Sequence, residues 1–288
     1  MKKSFVLFLT FCSIIFCNRA AAQDSTEDKA SSYAKVYLSH LSDNVYLGRK
    51  DSVKLPYISP SFAYYHKSGF FASATTSYLP TESRLYAVVL SAGYSFSKKK
   101  WEGEFSIDKN FYSSKSYSVK SEITGSGNAY IACDLDFIKP SFNGTISLGA
   151  NTDYSTSFGV EHDFTAFNDK LQISPSLLMN ASTQNYYNDY YKKRKYAKTR
   201  KGKVVTYNVT ANAVDASKFK VMDYEASVPC SYKANRFTFD FTPTYAIPVN
   251  PNNILYTIKS SNGQTVNRTN TEHIGNTFYW MVEVSYRL

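Results

Sequence analysis

The amino-acid sequence predicts an all-β protein, an antiparallel up-and-down β-barrel of about twelve strands that crosses a membrane. Three observations lead to this prediction. The final segment, 278–288, alternates between apolar and polar residues, as the two faces of a strand do. Similar alternating segments recur along the chain. The connections between them are short and long in turn, as in barrels with short periplasmic turns and longer external loops.

The beginning of the chain predicts export. Two lysines, Lys2 and Lys3, precede an apolar stretch at 5–17 and three alanines at 20–22. This is the pattern of a secretory signal peptide, and we expect cleavage before Gln23. The chain then divides into a signal peptide at 1–22, a mobile N-terminal segment at 23–32 and a barrel at 33–288.

The composition agrees with a barrel. The chain holds 25 Tyr and 20 Phe, yet its mean hydropathy is only -0.35. After the signal peptide, the sequence offers no apolar run long enough for a transmembrane helix. A barrel strand turns one face to lipid and the other to water, so a chain rich in aromatic residues keeps a low mean hydropathy.

The final strand has one wholly apolar face. Its members are Phe278, Trp280, Val282, Val284, Tyr286 and Leu288. The length matches the ~9–11 residues that a tilted strand needs to cross a bilayer. An alternating aromatic strand at the C-terminus is what the outer-membrane barrel-assembly machinery reads, although Leu288 stands where an aromatic residue is usual. The last strand of a soluble sandwich would show the same alternation.

Eleven segments carry the alternation clearly. They are 57–66, 70–78, 84–96, 101–112, 129–137, 141–150, 154–164, 171–183, 219–232, 237–247 and 278–288. A further segment, 33–47, reads either as a strand or as a short helix. A barrel with both termini in the periplasm needs an even number of strands, so we predict that this segment forms the first strand. Within these segments, the alternation places Tyr86 and Met222 on the outward faces.

The connections separate a barrel from a sandwich. Short turns are expected near residues 67, 98, 139, 169 and 235. Longer or more irregular loops alternate with them, near residues 52, 81, 120, 152, 202 and 262, and the one near 152 is a short exception. A soluble sandwich has no reason to alternate the two kinds of connection, so the pattern favours a membrane barrel.

The polar faces of the strands are acidic. The predicted wall consists of Glu102, Glu104, Asp108, Asp134, Asp136, Glu161, Asp163, Asp223, Glu225, Asp240 and Glu283. On the same faces Arg287 is nearly the only base. This predicts a lumen of negative potential and, if the lumen is open, a preference for cations. The alternative is that loop residues or further lysines neutralise the wall.

One loop is strongly cationic. Between 186 and 218 the run 192–203 contains Lys192, Lys193, Arg194, Lys195, Lys198, Arg200, Lys201 and Lys203, and no acid. Removing the signal peptide lowers the formal net charge from +10 to about +7, so this run exceeds the whole remaining excess. It predicts either a site for polyanions, such as lipopolysaccharide or acidic glycans, or a solvated loop beside lipid phosphates. A nucleic-acid partner is not expected, since no matching module is present.

The chain offers one weak catalytic pattern. His40 and Ser42 share a strand face with Asn44, an arrangement similar to that of outer-membrane lipid hydrolases. No metal-ligand spacing and no phosphate-binding glycine loop accompany it, so neither a metal nor a cofactor is expected.

Three segments carry a family resemblance. SDNVYLGRKDS at 42–52, PYISPSFAYYHKSGFF at 56–71 and LSAGYSF at 90–96 resemble outer-membrane β-barrel proteins of Bacteroidota that have no assigned function. The resemblance implies a Gram-negative outer-membrane barrel and supplies no catalytic residues. We therefore expect a passive or cation-preferring, porin-like pore or a structural barrel in the outer membrane. A surface-binding protein and a lipid hydrolase remain as alternatives.

Overall fold

Strands dominate the computed structural model of the protein, which describes residues 31–50, 55–113, 122–186, 188, 198–200, 203–205, 207–260 and 264–288. In chain order the strands are β1 (Tyr33–Leu41), β2 (Val45–Tyr46), β3 (Arg49–Lys50), β4 (Tyr57–Tyr65), β5 (Phe70–Leu79), β6 (Arg84–Lys98), β7 (Trp101–Tyr112), β8 (Gly125–Cys133), β9 (Lys139–Leu148), β10 (Thr152–Glu161), β11 (Phe164–Ala166), β12 (Leu171–Ile173), β13 (Ser176–Ser182), β14 (Lys198–Arg200), β15 (Lys203–Val205), β16 (Tyr207–Ala213), β17 (Lys220–Ser227), β18 (Cys230–Ala234), β19 (Phe237–Pro248), β20 (Asn253–Ser260), β21 (Thr265–Thr271) and β22 (Thr277–Arg287). A short 3-10 helix, Pro80–Glu82, joins β5 to β6.

Twelve strands form a closed antiparallel barrel. Around the wall the order is β1, β4, β5, β6, β7, β8, β9, β10, β13, β17, β19 and β22. The wall closes between β1 and β22, whose register runs from Lys35 opposite Arg287 to Leu41 opposite Met281. The first strand is therefore a strand and not a helix, and the prediction of a twelve-stranded barrel is confirmed.

The two ends of the barrel differ. One end, here called the short-turn end, carries the beginning of β1 and the end of β22. It also carries the tight connections at 66–69, 99–100, 134–138, 167–170 and 235–236. The opposite end, here called the loop end, carries the connections at 42–56, 80–83, 113–124, 149–151, 183–219 and 249–276. Two of the long connections supply β16, β20 and β21, which form a separate three-stranded sheet. The predicted alternation holds for four of the six loop-end connections, and those at 80–83 and 149–151 are as short as the turns.

The outer and inner faces of the wall have opposite character. Large apolar side chains point outward and are exposed, among them Ile107 at 68 % and Phe278 at 60 %. Small polar side chains such as Ser73, Thr75 and Ser91 alternate with them and point inward. Several inward residues are only half-buried, so the lumen keeps room for water beside these small side chains.

Two residues that the sequence places on the outer face point inward, because their strands contain bulges. Tyr86 is the extra residue on β6, where the pairing with β5 shifts between Ser77 and Tyr78. Met222 is the extra residue on β17, where the pairing with β13 shifts between Asn180 and Ala181. An extra residue reverses the alternation beyond it. Tyr86 therefore points inward with 2 % of its surface exposed, and Met222 is fully buried at 0 %.

Prolines interrupt two strands that the sequence predicts as continuous. Pro175 separates β12 from β13, and Pro229 separates β17 from β18. Proline has no N–H to donate to the ladder, so it breaks a strand's regular pairing. Both prolines still accept through their carbonyl oxygens, from the N–H of His162 at 3.2 Å and of Ser174 at 2.9 Å. The wall thus stays joined across the break.

The connection between β1 and β4 folds into the loop end of the barrel. Its residues 42–50, here called the plug, contain the β2–β3 hairpin, with Val45 opposite Lys50 and Tyr46 opposite Arg49. Val45 and Tyr46 belong to one apolar cluster with inward side chains of the wall, Tyr57, Leu79, Tyr86, Tyr279 and Met281. The main apolar core therefore lies inside the barrel, between the plug and the wall.

The tip of the plug requires glycine at position 48. Leu47 and Gly48 form the two-residue turn, with φ of 48° and 70°. A Cβ at Gly48 would lie 2.6 Å from the Cβ of Asp223 and 3.0 Å from the Cα of Pro248. We predict that Gly48→Ala lowers the free energy of unfolding by about 1–3 kcal/mol, through strain and overpacking.

The measurement is the temperature at which the folded band converts to the unfolded band in gel electrophoresis. Gly275→Ala is the matched control, because nothing lies within 4 Å of a Cβ at that position. Equal conversion temperatures for both variants would contradict the placement of the plug tip against the wall.

Candidate functional site: the plugged lumen

Arg49 attaches the plug to β17 and to the connection that follows β19. Its guanidinium donates to four main-chain carbonyls and one carboxylate. The acceptors are the carbonyl oxygens of Leu47 (3.0 Å), Met222 (3.4 Å), Val249 (3.2 Å) and Asn250 (3.1 Å), and Oε2 of Glu272 (3.2 Å). Arg49 is buried. Because the planar guanidinium has five N–H donors in a fixed fork, it joins several segments at once.

Asp43 and Asn44 bond the plug to itself and to the residues that follow it. Oδ1 of Asp43 accepts from the backbone N–H of Asn44 at 2.9 Å and of Leu55 at 3.2 Å. The amide of Asn44 donates to the hydroxyl of Tyr57 on β4 at 3.4 Å. Burial raises the pKa of the Tyr46 phenol well above its ordinary value, so this side chain is neutral in the core.

Two further connections pack over the plug. Asp153, at the start of β10, accepts from the backbone N–H of Asn185 at 2.6 Å and of Tyr186 at 2.9 Å. The ring of Tyr186 lies 5.7 Å from that of Tyr46. Asn252 donates to Oε1 of Gln184 at 2.5 Å and so joins the other long connection to this layer. The loop end is covered by the plug and by these two connections together.

Most of the predicted acidic wall faces the lumen. The inward and buried or half-buried members are Glu102, Glu104, Asp108, Glu161, Asp223, Glu225, Asp240 and Glu283. Asp108 accepts from the hydroxyl of Ser126 and from the amide of Asn128, both at 2.8 Å. These contacts make a polar network on β7 and β8.

Three members of the predicted wall lie elsewhere. Asp134 and Asp136 are exposed in the turn between β8 and β9, because β8 ends at Cys133. Nζ of Lys100 lies 2.6 Å from Oδ2 of Asp136, and this hydrogen bond raises the pKa of the lysine. Asp163 lies in the interruption between β10 and β11, where its carboxylate accepts from the hydroxyl of Ser174.

Bases that the sequence reading missed also face the lumen. Lys35 is buried on the inner face of β1, and Arg49 is buried in the plug. Lys139 is the first residue of β9. Its Nζ lies 2.8 Å from Oε1 of Glu102, 3.1 Å from Oε1 of Glu161 and 3.9 Å from Oδ2 of Asp163. The expectation that Arg287 is nearly the only base on these faces is therefore wrong. Lys139 is missed because its neighbour Pro140 suggests a turn.

The three weak catalytic candidates are not brought together. The ring of His40 packs against the ring of Trp280, with centroids 5.4 Å apart. The hydroxyl oxygen of Ser42 accepts from the backbone N–H of Trp280 at 2.8 Å. The side chain of Asn44 turns into the plug and binds Tyr57, so it does not orient His40. This geometry does not assemble a nucleophile with its base.

The cationic run falls mostly outside the described residues. Five of its eight bases are not among the described residues, namely Lys192, Lys193, Arg194, Lys195 and Lys201. Of the remaining residues of the run, Lys198 and Arg200 lie in β14 and Lys203 lies in β15, and these two strands form a short hairpin.

The plug is an element of the lumen that the sequence alone did not predict. Its signal was present in NVYLGRK, where two short runs flank Leu47 and Gly48 as a tight hairpin turn. Within the described ranges no group of three or more His, Cys, Asp or Glu side chains is placed to hold a metal ion. No helix among the residues that the structure describes is long and apolar enough to span a membrane.

Comparison with known proteins gives similarity of fold alone. No protein-family model matches the chain, and no curated protein matches it. A structure titled CdiB from Acinetobacter baumannii aligns over 91 % of this chain at 7 % identity, with a TM-score of 0.36, and the chain spans only 60 % of it.

Two other solved structures align over nearly their full length. LpxR from Salmonella typhimurium aligns over 88 % of this chain and 99 % of its own, at 9 % identity and a TM-score of 0.38. OmpF from Salmonella typhi aligns over 91 % and 99 %, at 9 % identity and a TM-score of 0.29. At these identities and TM-scores the two alignments carry no conclusion about the activity of this chain.

The cluster around Lys139 supports a stability prediction. Lys139→Ala leaves Glu102 and Glu161 together without their shared cation, and these side chains are only 17 % and 15 % exposed. We expect the free energy of unfolding to fall by about 2–3 kcal/mol, which is below the full cost for a buried pair because lumen water screens the charges.

Urea unfolding of the protein in lipid vesicles, followed by tryptophan fluorescence, measures this loss. Lys100→Ala is the control, because its pair with Asp136 is exposed and should leave the midpoint unchanged. Identical midpoints for the two variants would refute a structural role for Lys139.

Proposed function

We propose that the chain is an outer-membrane β-barrel that conducts small cations through its lumen when the plug moves. The observation that carries this proposal is the arrangement of the lumen. A plug anchored by Arg49 covers the loop end, above a wall of small, half-buried polar side chains.

The outer surface supports a membrane location. Aromatic and aliphatic side chains are exposed all around the barrel wall, where water would be a poor solvent for them. A lipid bilayer accommodates such a face, and a closed barrel leaves no unpaired strand edge within it. With the predicted signal peptide, this favours the outer membrane, with the short-turn end and both chain termini in the periplasm.

The charge of the wall supports a cation preference. On β7, β8, β9 and β10 the inward acids are Glu102, Glu104, Asp108, Asp153 and Glu161. Lys139 is the one base among the inward side chains of these four strands. A low-dielectric wall with excess carboxylates raises the local concentration of cations.

Arg49→Ala tests the proposed conduction. The variant loses its hydrogen bonds to four carbonyls and Glu272, and a hydrogen bond to a charged group contributes about 1.5–3 kcal/mol. We expect rare openings of the wild-type protein in planar bilayers, openings at least tenfold more frequent in Arg49→Ala, and reversal potentials that indicate cation preference.

Lys50→Ala is the matched control, because Lys50 is the exposed neighbour of Arg49 in β3. It should behave as the wild-type protein does. An absence of conductance in all three proteins would favour a purely structural barrel, and an anion preference would contradict the charge argument.

The cationic run carries a second candidate function, binding of lipopolysaccharide or acidic glycans at the loop end. Eight bases within residues 192–203 support it, and no acid offsets them. Replacing 192–203 with a Gly-Ser linker of equal length should lower binding to lipopolysaccharide at least tenfold in a pull-down on immobilised lipid. Alanine at Lys98, Lys99 and Lys100, a basic run at the opposite end, is the control. Unchanged binding of the linker variant would remove this candidate.

A further inference from the structure

Lys139 reaches across the inner wall of the barrel at the short-turn end. It begins β9, and one of the carboxylates that it contacts, Glu102, lies on β7. Because β8 runs between these two strands, the lysine side chain spans two strand spacings, about 10 Å. The residue of β8 opposite Glu102 is Ala132, whose small side chain leaves the lysine room to cross. The regular strands of the wall therefore determine where the ammonium lies.

Three carboxylates surround this ammonium. Nζ of Lys139 lies 2.8 Å from Glu102, 3.1 Å from Glu161 and 3.9 Å from Asp163. The lysine side chain is 14 % exposed, so little water takes part in the cluster. A group of carboxylates around one positive charge is the arrangement by which proteins bind hard cations. In this barrel the positive charge belongs to the chain itself.

Two of the three carboxylates have a further hydroxyl partner. The hydroxyl of Tyr130 donates to Oε1 of Glu102 at 3.3 Å. The hydroxyl of Ser174 donates to Oδ1 of Asp163, and the side-chain amide of Gln172 donates to Ser174 at 3.2 Å. Such partners orient the carboxylates independently of the lysine, as they do around metal ligands. The carboxylates therefore stay in position when the ammonium is removed.

We propose that the ammonium of Lys139 is a tethered cation that excludes divalent cations from the short-turn end of the lumen. A calcium ion gains more than a potassium ion from several carboxylates, because its charge is twice as large. To bind, it must displace an ammonium that the chain holds in place. Lys139 thus determines selectivity between monovalent and divalent cations. The selectivity rests on the proposed conduction, whereas the exclusion of calcium from this position does not.

Calcium binding tests the tethered cation without any current. Full-length protein in detergent micelles is freed of metals with a chelator and titrated with calcium chloride at pH 7. We expect Lys139→Met, which loses the charge and keeps an unbranched side chain, to bind one more calcium ion per chain than the wild-type protein does. Adding Glu161→Gln to Lys139→Met should weaken that binding at least tenfold. Lys100→Met is the matched control, because it removes an equal charge from an exposed pair at the same end of the barrel.

Folding of each variant is checked by the heat-induced gel shift, and Lys139→Gln replaces Lys139→Met if the latter does not fold. Equal calcium binding by the wild-type protein and the folded Lys139 variant would overturn the proposal. Calcium binding by the wild-type protein that Glu161→Gln abolishes would overturn it as well, because the ammonium would then not exclude the ion.

Currents through the opened barrel test the selectivity. In the Arg49→Ala background, calcium added to potassium chloride should block the current at an at least tenfold lower concentration when Lys139→Met is present. An unchanged blocking concentration would refute the role of Lys139 in selectivity. An absence of conductance in both proteins would contradict the proposed conduction, and the calcium titration alone would then decide whether Lys139 is a tethered cation.

Discussion

The hydrogen bonds of Arg49 are the interaction on which the loop end of the barrel depends. The guanidinium holds the plug against Met222 on β17 and against the connection that follows β19. Its acceptors are mostly main-chain carbonyls, whose positions are set by the backbone and not by side-chain rotamers. A buried guanidinium is costly unless all its donors are used, and the fork of five N–H groups meets this requirement by joining separate segments.

The wall supplies the frame within which that interaction forms. Closure between β1 and β22 leaves no free edge, so every strand directs one face inward and one outward. Large apolar side chains take the outward positions, and small hydroxyl and amide side chains take most inward positions. The larger apolar cluster among the described residues therefore forms where the plug brings Val45 and Tyr46 against Tyr57 and Tyr86.

The lumen charges were predicted in part. Alternation correctly placed Glu102, Glu104 and Asp108 inside, because β7 is regular from end to end. It failed at Asp136, where a φ of 67° belongs to the tight turn that follows the end of β8. Turn geometry of this kind depends on which residues pair across the strands, and the alternation of residue types does not report it.

The sequence by itself predicted eleven of the twelve wall strands and the faces of most of their residues, and the even number of strands in a barrel then required the first strand. The strands and their faces are local properties, since a period of two and a run of turn residues can be read within about ten residues. Tertiary structure alone decided the bulges, the plug and the partners of Arg49. Met222 and Arg49 are 173 residues apart in the chain, and they meet because closure of the barrel brings β17 within reach of the plug.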